Sequence, residues 1–371
     1  MNVLVVGGKL QGTEVVYLAK KAGWTVYLVD KNPMAPAVNL CDHFYEVNLF
    51  NEKVMAIIYK KADVVIPALE DETCLAALVN YGSLLNKKVI FDIEAFLISS
   101  SKSLSNELFK ENDIPIPGDY ETCLTYDLPV VVKPNNSSGS HGVRVFKRAV
   151  EAKKFIKNHP KYICQEYLEG PSYSLEVIGD GKNFELLIIT QIIIDEQYDC
   201  QRVAAPAVIS EDIEEEFYTL TEKIAQVLQI NGIFDIEVIE NKGKLYALEI
   251  DARMPSQTPI AVYHATGINM VKEMVEYMEK PKKIHQRKGQ HSILQHVELK
   301  EGTLTGIGEK VMGKAGPLIH KTKYFGADEA FISDRNIYDG YIAELIVTSD
   351  STEGAEEKIA ETIELIEKNL K

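Results

Sequence analysis

Five charged side chains stand at alternating positions in two consecutive apolar stretches: Asp235, Glu237, Glu249, Asp251 and Arg253. Both stretches are predicted strands joined by a hairpin at residues 241–243, and a period of two places the charges of each strand on one face. Carboxylates that lie close together on one face of a sheet repel one another unless a cation lies between them. Hard oxygen ligands select Mg²⁺, which typically takes one or two carboxylates plus substrate phosphates. The alternative is a solvated acidic face balanced by the arginine.

A second stretch, residues 130–143, combines one lysine with a loop of small polar residues. An apolar strand delivers Lys133, and Pro-Asn-Asn-Ser-Ser-Gly-Ser-His-Gly follows it. Small side chains let backbone N–H groups and hydroxyls converge on phosphate oxygens, and the lysine adds a point charge. The lysine precedes the loop, so this is not the GxxxxGK[ST] motif. The pattern indicates either a phosphate-binding loop or a flexible surface turn.

The first predicted strand ends in a Gly-Gly-Lys-Leu-Gln-Gly turn, residues 7–12, that leads into a helix. A dinucleotide-binding fingerprint needs glycine where Lys9 stands, so the match to a nicotinamide-cofactor site is weak. Two other interpretations stay open: a turn that permits tight strand–helix packing, and a loop that faces a ligand at the carboxyl ends of the strands. On the last interpretation the ligand-facing residues are Lys9, Leu10, Gln11 and Glu70.

Hydrophobic periodicity predicts the elements that carry these residues. In the first hundred residues, short apolar runs alternate with amphipathic stretches, which is typical of a doubly wound parallel sheet. The predicted strands there are Asn2–Val6, Thr25–Val29, Val64–Ile66 and Val89–Phe91. From Val130 onward, β-branched runs separated by glycine turns predict mostly antiparallel strands, with helices at 150–158 and 211–229. A basic, polar stretch at 281–290 is a predicted linker.

Length, composition and charge exclude several classes of protein. The 371 residues are 46% apolar and 26% charged, which predicts two or three globular domains. Acidic residues outnumber basic ones by 55 to 40, so binding to nucleic acid or to anionic lipid is not expected. The five cysteines are widely spaced without a CxxC pair, which favours a reducing cytoplasm. No signal peptide or membrane span is predicted.

Taken in chain order, these motifs resemble the ATP-grasp superfamily of carboxylate–amine ligases. The motifs are Lys102, the Lys133 strand with its Ser/Gly loop, Gln-Glu-Tyr-Leu-Glu-Gly at 165–170, Glu237, and Glu249-x-Asp251-x-Arg253. The likeness covers nearly the whole chain and implies an ATP-grasp fold of mixed α/β and α+β class. Its expected parts are an N-terminal doubly wound, Rossmann-like domain (1–98), an ATP-binding domain (99–285) with a lid at about 103–170, and a C-terminal α+β portion (286–371).

The resemblance also implies roles for individual residues. Lys133 and Arg253 are expected to be catalytic, the arginine by steadying an acyl-phosphate. The residues expected to bind ATP are Lys102, Lys133, Ser137, Ser138, Gly139, Glu166, Tyr167, Leu168, Glu169 and Ser174. Those expected to hold Mg²⁺ are Glu237, Glu249 and Asp251. Those expected to bind substrate are Lys9, Leu10, Gln11, Glu70, Glu176, Asp235 and Ser256.

Within the superfamily, the whole sequence is similar to a ligase that joins the carboxylate of one diamino acid to the side-chain amine of another. The expected partners are therefore small amino acids, with ATP and Mg²⁺ as cofactors and the number of subunits open. Freeing an amine of pKa about 10.4 at pH 7 costs roughly 4.6 kcal/mol, so a nearby carboxylate is expected to orient or deprotonate it. Glu70, Glu176 and Asp235 are the candidates, with structural ion pairing as the alternative for each.

Three other functions stay open at this point. Another ATP-grasp ligase, including the carboxylation enzymes of purine synthesis, would share every nucleotide motif. A nicotinamide-dependent oxidoreductase would use the opening glycine turn as its cofactor site. A nucleotide sensor would bind ATP without catalysing a reaction.

Overall fold

A computed structural model describes residues 1–137, 139–287, 289–338 and 340–370. The α-helices are α1 (Leu10–Lys21), α2 (Glu52–Tyr59), α3 (Glu72–Leu85), α4 (Ile93–Ser99), α5 (Lys102–Glu111), α6 (Tyr120–Tyr126), α7 (Ala149–Asn158), α8 (Glu211–Leu228), α9 (Thr258–Thr266), α10 (Met270–Glu279) and α11 (Thr352–Leu370). Short 3₁₀ helices cover Pro36–Asn39 and Glu309–Lys314. None of the helices in the described residues has the length and apolar content of a membrane span.

In the described part of the chain, the strands fall into three separate sheets. In chain order they are β1 (Asn2–Val6), β2 (Thr25–Asp30), β3 (His43–Glu46), β4 (Val64–Pro67), β5 (Lys88–Val89), β6 (Val130–Pro134), β7 (Arg144–Phe146), β8 (Tyr162–Glu166), β9 (Ser172–Asp180), β10 (Phe184–Ile194), β11 (Cys200–Ala205), β12 (Asn231–Asn241), β13 (Lys244–Asp251), β14 (His291–Lys300), β15 (Thr303–Gly306), β16 (Ile319–Tyr324), β17 (Ala327–Ile332) and β18 (Tyr341–Ser349).

The first sheet is parallel, with the order β3-β2-β1-β4-β5, and confirms the predicted doubly wound N-terminal fold. Val3, Leu4 and Val5 are fully buried, as expected for a central strand covered by helices on both faces. The edge strand β3 was not predicted, because its sequence, His-Phe-Tyr-Glu, is half polar and partly exposed. The predicted strand at 89–91 lies earlier, at Lys88–Val89.

The largest sheet is antiparallel and runs β13-β12-β9-β10-β11-β14-β18-β17-β16, with β15 added beside β14. Helix α8 packs against it through Phe217, Leu220 and Ile224, which recur at intervals of three and four residues and are buried. Val227, three residues further along the helix, is 44% exposed. Strand β14 follows the basic 281–290 stretch and pairs directly with β11. The C-terminal strands therefore continue the sheet of the central region, while the domain boundaries themselves stay a prediction.

The third sheet is a small antiparallel one, with the order β7-β6-β8. Helices α6 and α7 pack on it around a modest core that includes Cys123, Val130 and Val132. Strand β6 ends in Lys133-Pro134, and the Ser/Gly loop follows directly. This sheet positions one of the two predicted phosphate-binding lysines at the margin of the largest sheet.

Candidate active site

The hairpin of β12 and β13 aligns four carboxylates in two facing pairs. Asp235 is paired with Asp251, and Glu237 with Glu249, in the antiparallel register. The turn between the strands, Lys242-Gly243, has positive φ at both residues (53° and 73°), as a two-residue type I′ hairpin requires. Directly opposed side chains on one face of a sheet lie within contact range. The alternation of charges in the sequence therefore becomes one acidic surface.

Burial and mutual repulsion disturb the ionisation of this surface. Burial raises the pKa of Glu237 to about 8, and the charges of Glu249 and Asp251 add to the effect. Burial likewise raises the pKa of Asp251 to about 6, although Arg253 opposes the shift. Burial would also raise the pKa of Glu249, but Lys102 and Lys133 outweigh it, so that pKa is lowered. The surface holds more negative charge than its neighbouring cations balance.

That imbalance fits a divalent cation shared with a polyanionic ligand. In the described part of the chain, no group of three or more His, Cys, Asp or Glu side chains is arranged to hold a metal ion. The remaining ligands of a metal here would come from elsewhere, and Mg²⁺ ordinarily takes one or two carboxylates plus phosphate oxygens and water. Glu237 and Glu249, which face each other, are the residues that would hold such an ion.

The two lysines approach the acidic surface from different elements. Lys102 opens α5, and its Nζ lies 2.8 Å from Oε2 of Glu249 and donates to the carbonyl of Ser137 at 2.6 Å. Lys133 ends β6, and burial together with the charge of Lys102 lowers its pKa, whereas Glu249 opposes that change. The cations and the carboxylates are thus within electrostatic range of one another, on the two sides of a single space.

That space is a cavity of about 330 Å³. Most of the predicted site residues line it, namely Lys102, Lys133, Ser137, Gly139, Glu166, Tyr167, Leu168, Glu169, Ser174, Asp235, Glu237, Glu249, Asp251, Arg253 and Ser256. Ser138, also predicted, lies outside the described residues. The cavity is therefore built from the small sheet, the β12–β13 hairpin and the segment that follows β8.

The lining of the cavity also includes a set of apolar side chains. They are Pro117, Val131, Leu168, Ile194, Ile239 and Leu248. The segment after β8 passes Gly170, where an added Cβ would lie 1.8 Å from the carbonyl oxygen of Glu240, so no side chain fits there. Glu166 accepts a hydrogen bond from the N–H of Gly118 at 3.3 Å. Apolar side chains of this kind are typical of a pocket that binds an organic ring.

Arg253 joins the cavity to the first domain. Its Nε lies 2.9 Å from Oε1 of Glu70, and its Nη2 lies 2.9 Å from Oδ2 of Asp251. The side-chain amide of Gln11 donates to the same Glu70 oxygen at 2.8 Å. Gln11 and Glu70 do not line the cavity. Glu70 contacts Arg253, which does line it, and Gln11 contacts Glu70. This contact fixes the direction in which the guanidinium points.

The remaining predicted residues are not brought to the cavity. Lys9 is exposed at the start of α1, and Leu10 packs against the main core. An added Cβ on Gly12 would lie 2.2 Å from the carbonyl oxygen of Gly7, so the opening turn permits close strand–helix packing. Glu176 is fully buried behind Ser174, whose hydroxyl donates to it at 3.3 Å.

Several lining residues were missed at the sequence level. The cavity also includes Tyr198, Asp199, Thr258 and Glu309. Tyr198 accepts a hydrogen bond from the hydroxyl of Ser140 through its carbonyl oxygen, and its ring meets that of Tyr167 edge-on at 6.3 Å. Glu309 begins a 3₁₀ helix in the C-terminal region. Thr258 closely follows Ser256 in the chain, whereas Tyr198, Asp199 and Glu309 lie far from the predicted motifs in the sequence, and no motif marks them.

Comparison with known proteins gives the same fold and a set of close relatives. Residues 99–257 match the family described as ATP-grasp domain, and residues 3–83 match the family described as PylC-like, N-terminal domain. The chain is 37% identical to the 3-methyl-D-ornithine–L-lysine ligase of Methanosarcina mazei over 84% of this chain and 82% of that protein. It is 36% identical to the enzyme of the same name from Methanosarcina barkeri, over 84% of each chain.

Solved structures share the architecture at low sequence identity. The L-amino acid ligase of Bacillus licheniformis superposes with a TM-score of 0.71 and 17% identity, covering 97% of this chain and 96% of that one. The biotin carboxylase domain of the Hydrogenobacter thermophilus 2-oxoglutarate carboxylase, solved with MgADP and bicarbonate, gives a TM-score of 0.76 at 17% identity, covering 98% and 89%. The predicted ATP-grasp fold is confirmed.

Proposed function

Because this chain belongs to the family of the ATP-grasp 3-methyl-D-ornithine–L-lysine ligases, we propose that it joins the carboxylate of 3-methyl-D-ornithine to the ε-amine of L-lysine. The reaction consumes ATP with Mg²⁺ and forms an amide through an acyl-phosphate, as a step of pyrrolysine biosynthesis. A cytoplasmic location is part of the same proposal, since the cytoplasm supplies ATP.

One observation carries the proposal. A single cavity gathers Lys102, Lys133, the Glu237–Glu249 pair and Arg253, and apolar side chains also line it. Adenine suits the apolar side chains, and the triphosphate suits the lysines and a metal held by the carboxylates. The acidic groups around Arg253 suit substrates that carry ammonium groups beside the reacting carboxylate.

The reaction makes two demands on the residues. In the first step a carboxylate oxygen attacks the γ-phosphorus of ATP, and ADP leaves. Lys102 and Lys133 offset the charge that accumulates as the two anions meet, and Arg253 orients the carboxylate and the acyl-phosphate. When bound at Glu237 and Glu249, Mg²⁺ would supply further charge neutralisation on the phosphate oxygens.

In the second step the ε-amine attacks the acyl carbon, the C–N bond forms and inorganic phosphate leaves. The attacking group must first lose a proton, because an ammonium ion has no lone pair. Of the three carboxylates expected from the sequence, Asp235 lines the cavity, Glu70 pairs with Arg253, and Glu176 lies behind the wall. Asp235 is therefore the residue we assign to orient the amine or accept its proton.

The decisive experiment is mass spectrometry of the product formed from 3-methyl-D-ornithine, L-lysine and Mg-ATP, with fragmentation to distinguish ε from α linkage. We expect sustained ADP release over many turnovers only when both amino acids are present, and an ε-linked amide. ADP release with a different carboxylate–amine pair alone, or with bicarbonate, would contradict the proposed substrates. Binding of ATP without product from any pair would support a sensor, and thermal stabilisation by NAD in place of Mg-ATP would support an oxidoreductase.

A further inference from the structure

Helix α1 of the first domain contacts α9, the helix that begins beside the cavity, near both of its ends. At the start of α9, the backbone N–H of Ile260 donates to Oε2 of Glu14 at 2.8 Å. In the last turn of α9, Nε2 of His264 lies 2.8 Å from the hydroxyl oxygen of Tyr17. These contacts hold α9 against the first domain, although 246 residues separate Glu14 from Ile260 in the chain.

Glu14 supplies the cap that α9 does not receive from its own N-cap residue. The first N–H groups of a helix have no partner within it, and the side chain of the N-cap residue ordinarily accepts from the second or third of them. Gln257 is the N-cap residue of α9, and within the described residues its side chain makes no such bond. Proline at position 259 has no N–H, so the N–H of Ile260 is the one that needs an acceptor.

The capped end of α9 continues directly into the wall of the cavity. Residues 255–258 line the cavity, and they connect α9 to Arg253, which also lines it. On its other side, Arg253 follows β13, which ends at Asp251. The position of the arginine backbone therefore depends on the strand that precedes it and on the helix that follows it.

Glu14 lies where water cannot take over its hydrogen bond. Its side chain belongs to a residue that is only 1% exposed. Burial raises the pKa of Glu14 well above its ordinary value, the charge of Glu344 adds to the rise, and the hydrogen bond from Ile260 opposes it. A protonated carboxyl group still offers an oxygen as acceptor. Because a buried backbone N–H without a partner is unfavourable, α9 needs an acceptor at this position, and the acceptor need not be charged.

We propose that Glu14 is a positioning residue, which caps α9 from the first domain and thereby fixes residues 255–258 and Arg253 for the acyl-phosphate step. The step that it affects rests on the proposed function, whereas the capping contact itself can be tested without substrates. Helix α1 thus acts on the cavity from behind its wall, through the helix that it contacts.

The test compares two substitutions of Glu14. Glu14→Met nearly keeps the size of the side chain and removes the acceptor, whereas Glu14→Gln keeps an amide oxygen that can accept the hydrogen bond. Should Glu14→Met fail to fold, Glu14→Asp takes its place with the same expectations, because the shorter side chain draws the acceptor away from Ile260.

Asn269→Leu is the matched control, because Asn269 also joins α1 to the start of a helix. It is 6% exposed, accepts from the N–H of Lys272 at the start of α10 at 3.0 Å, and donates to the carbonyl of Leu18 at 2.7 Å. Asn269 does not line the cavity, and it follows α9 in the chain. Its loss is expected to lower the Tm without changing kcat by more than about threefold.

Two measurements separate positioning from stability. Hydrogen exchange without substrates reports on the amides of residues 258–262. ADP release with 3-methyl-D-ornithine, L-lysine and Mg-ATP gives kcat and the KM for ATP.

We expect Glu14→Met to speed the exchange of these amides by about 2- to 30-fold, the factor that corresponds to the loss of a helix cap. It should lower kcat by about 10- to 100-fold, because a small displacement of a group at the reacting atoms is enough for such a loss. The KM for ATP should stay within about threefold, since residues 255–258 include none of those expected to bind ATP. Glu14→Gln should stay within about threefold of the wild type in exchange and in kcat.

Unchanged exchange at residues 258–262 in Glu14→Met would overturn the inference, and so would an equal loss of kcat in Asn269→Leu. A loss of kcat in Glu14→Gln as large as in Glu14→Met would show that the acceptor is not what matters, and would also count against it. A wild type that turns over none of these substrates would instead refute the proposed function, while the exchange data would separately support or contradict the capping contact.

Discussion

The Nε of Arg253 lies 2.9 Å from Oε1 of Glu70, so a residue that follows β4 of the first domain directly contacts the arginine of the proposed acyl-phosphate site. The guanidinium is otherwise tied to Asp251 on β13. Its orientation therefore depends on the relative position of two regions of the chain. The first prediction follows from this contact.

Glu70→Gln is expected to lower kcat at least about tenfold, because the guanidinium loses one of its two anionic partners. The KM for ATP should change little, since Glu70 does not line the cavity. Steady-state ADP release at varied ATP separates the two constants. Glu72→Gln, an exposed acid in the first turn of α3, is the control and should match the wild type. A rise in the KM for ATP with unchanged kcat would contradict the assigned role of Arg253.

Lys133→Ala is expected to abolish turnover, with a loss of at least about 10³-fold, because the half-buried cation near Glu249 can no longer offset phosphate charge. Lys147→Ala removes an exposed lysine just beyond β7 and should be neutral. Single-turnover phosphate release measures both variants. Retention of more than a tenth of the wild-type rate by Lys133→Ala would remove it from the proposed chemistry.

Glu249→Ala is expected to abolish turnover and to weaken the response to magnesium, because one of the two facing carboxylates is lost. Its removal also leaves Lys102 without the partner 2.8 Å away. Titration of activity with MgCl₂ at fixed ATP is the measurement. Glu214→Ala, an exposed acid of α8, serves as the control. Full activity of the Glu249 variant would rule out the metal assignment.

Gly170→Ala is expected to displace the segment after β8, because the new Cβ would meet the Glu240 carbonyl oxygen at 1.8 Å. Overpacking of this kind typically costs about 1–3 kcal/mol, and the KM for ATP should rise with it. Thermal unfolding and ATP titration report the two effects. Gly313→Ala has open space around the added Cβ and no positive φ, so it should leave the thermal stability and the KM for ATP unchanged. Normal ATP binding by Gly170→Ala would separate this segment from the adenine site.

The pH dependence of stability should reflect Glu329. Burial alone would raise its pKa, but hydrogen bonds from His320 (2.5 Å) and Lys21 (2.6 Å) outweigh it and lower the pKa from 4.5 to about 2. A carboxyl group whose pKa is lower in the folded state stabilises the fold at pH values above its unfolded-state pKa. That stabilisation is lost as the pH falls to the folded-state pKa. Wild type should exceed Glu329→Gln by about 3 kcal/mol at pH 7, and the gap should close between about pH 4.5 and 2.

Urea midpoints measured across that interval test this prediction. Glu361→Gln, an exposed acid of α11, should follow the wild-type curve. A gap between wild type and Glu329→Gln that stays constant from pH 7 to pH 2 would contradict the assigned ion pairs.

Local patterns predicted the elements that depend on neighbours in the chain. The alternation at Asp235, Glu237, Glu249 and Asp251, with a turn at Lys242-Gly243, was enough to place four carboxylates on one face. The same reasoning placed Lys133 at the end of β6. In both cases the period of a strand and the chemistry of a turn determine the geometry, so the sequence contains the needed information.

Local sequence patterns do not predict the positions of residues that depend on pairing between distant strands. Glu309 reaches the cavity because β14 lies beside β11, a pairing between segments separated by some ninety residues along the chain. Lys9 and Leu10, expected at the ligand because they follow β1, do not line the cavity: Lys9 is exposed, and Leu10 packs against the main core. Which residues after β1 approach the cavity depends on contacts with distant elements, which a single sequence does not reveal.

The pairing of β14 with β11 means that truncation of the chain before β14 would expose an edge of the largest sheet. In a chain that stops before His291, the backbone amide and carbonyl groups of residues 202–205 would lose the strand that they pair with, and β11 would become an exposed edge of the sheet. Such an open margin is a template for self-association into aggregates. The last eighty residues therefore cover a strand edge of the ATP-binding region, and we expect their removal to promote aggregation.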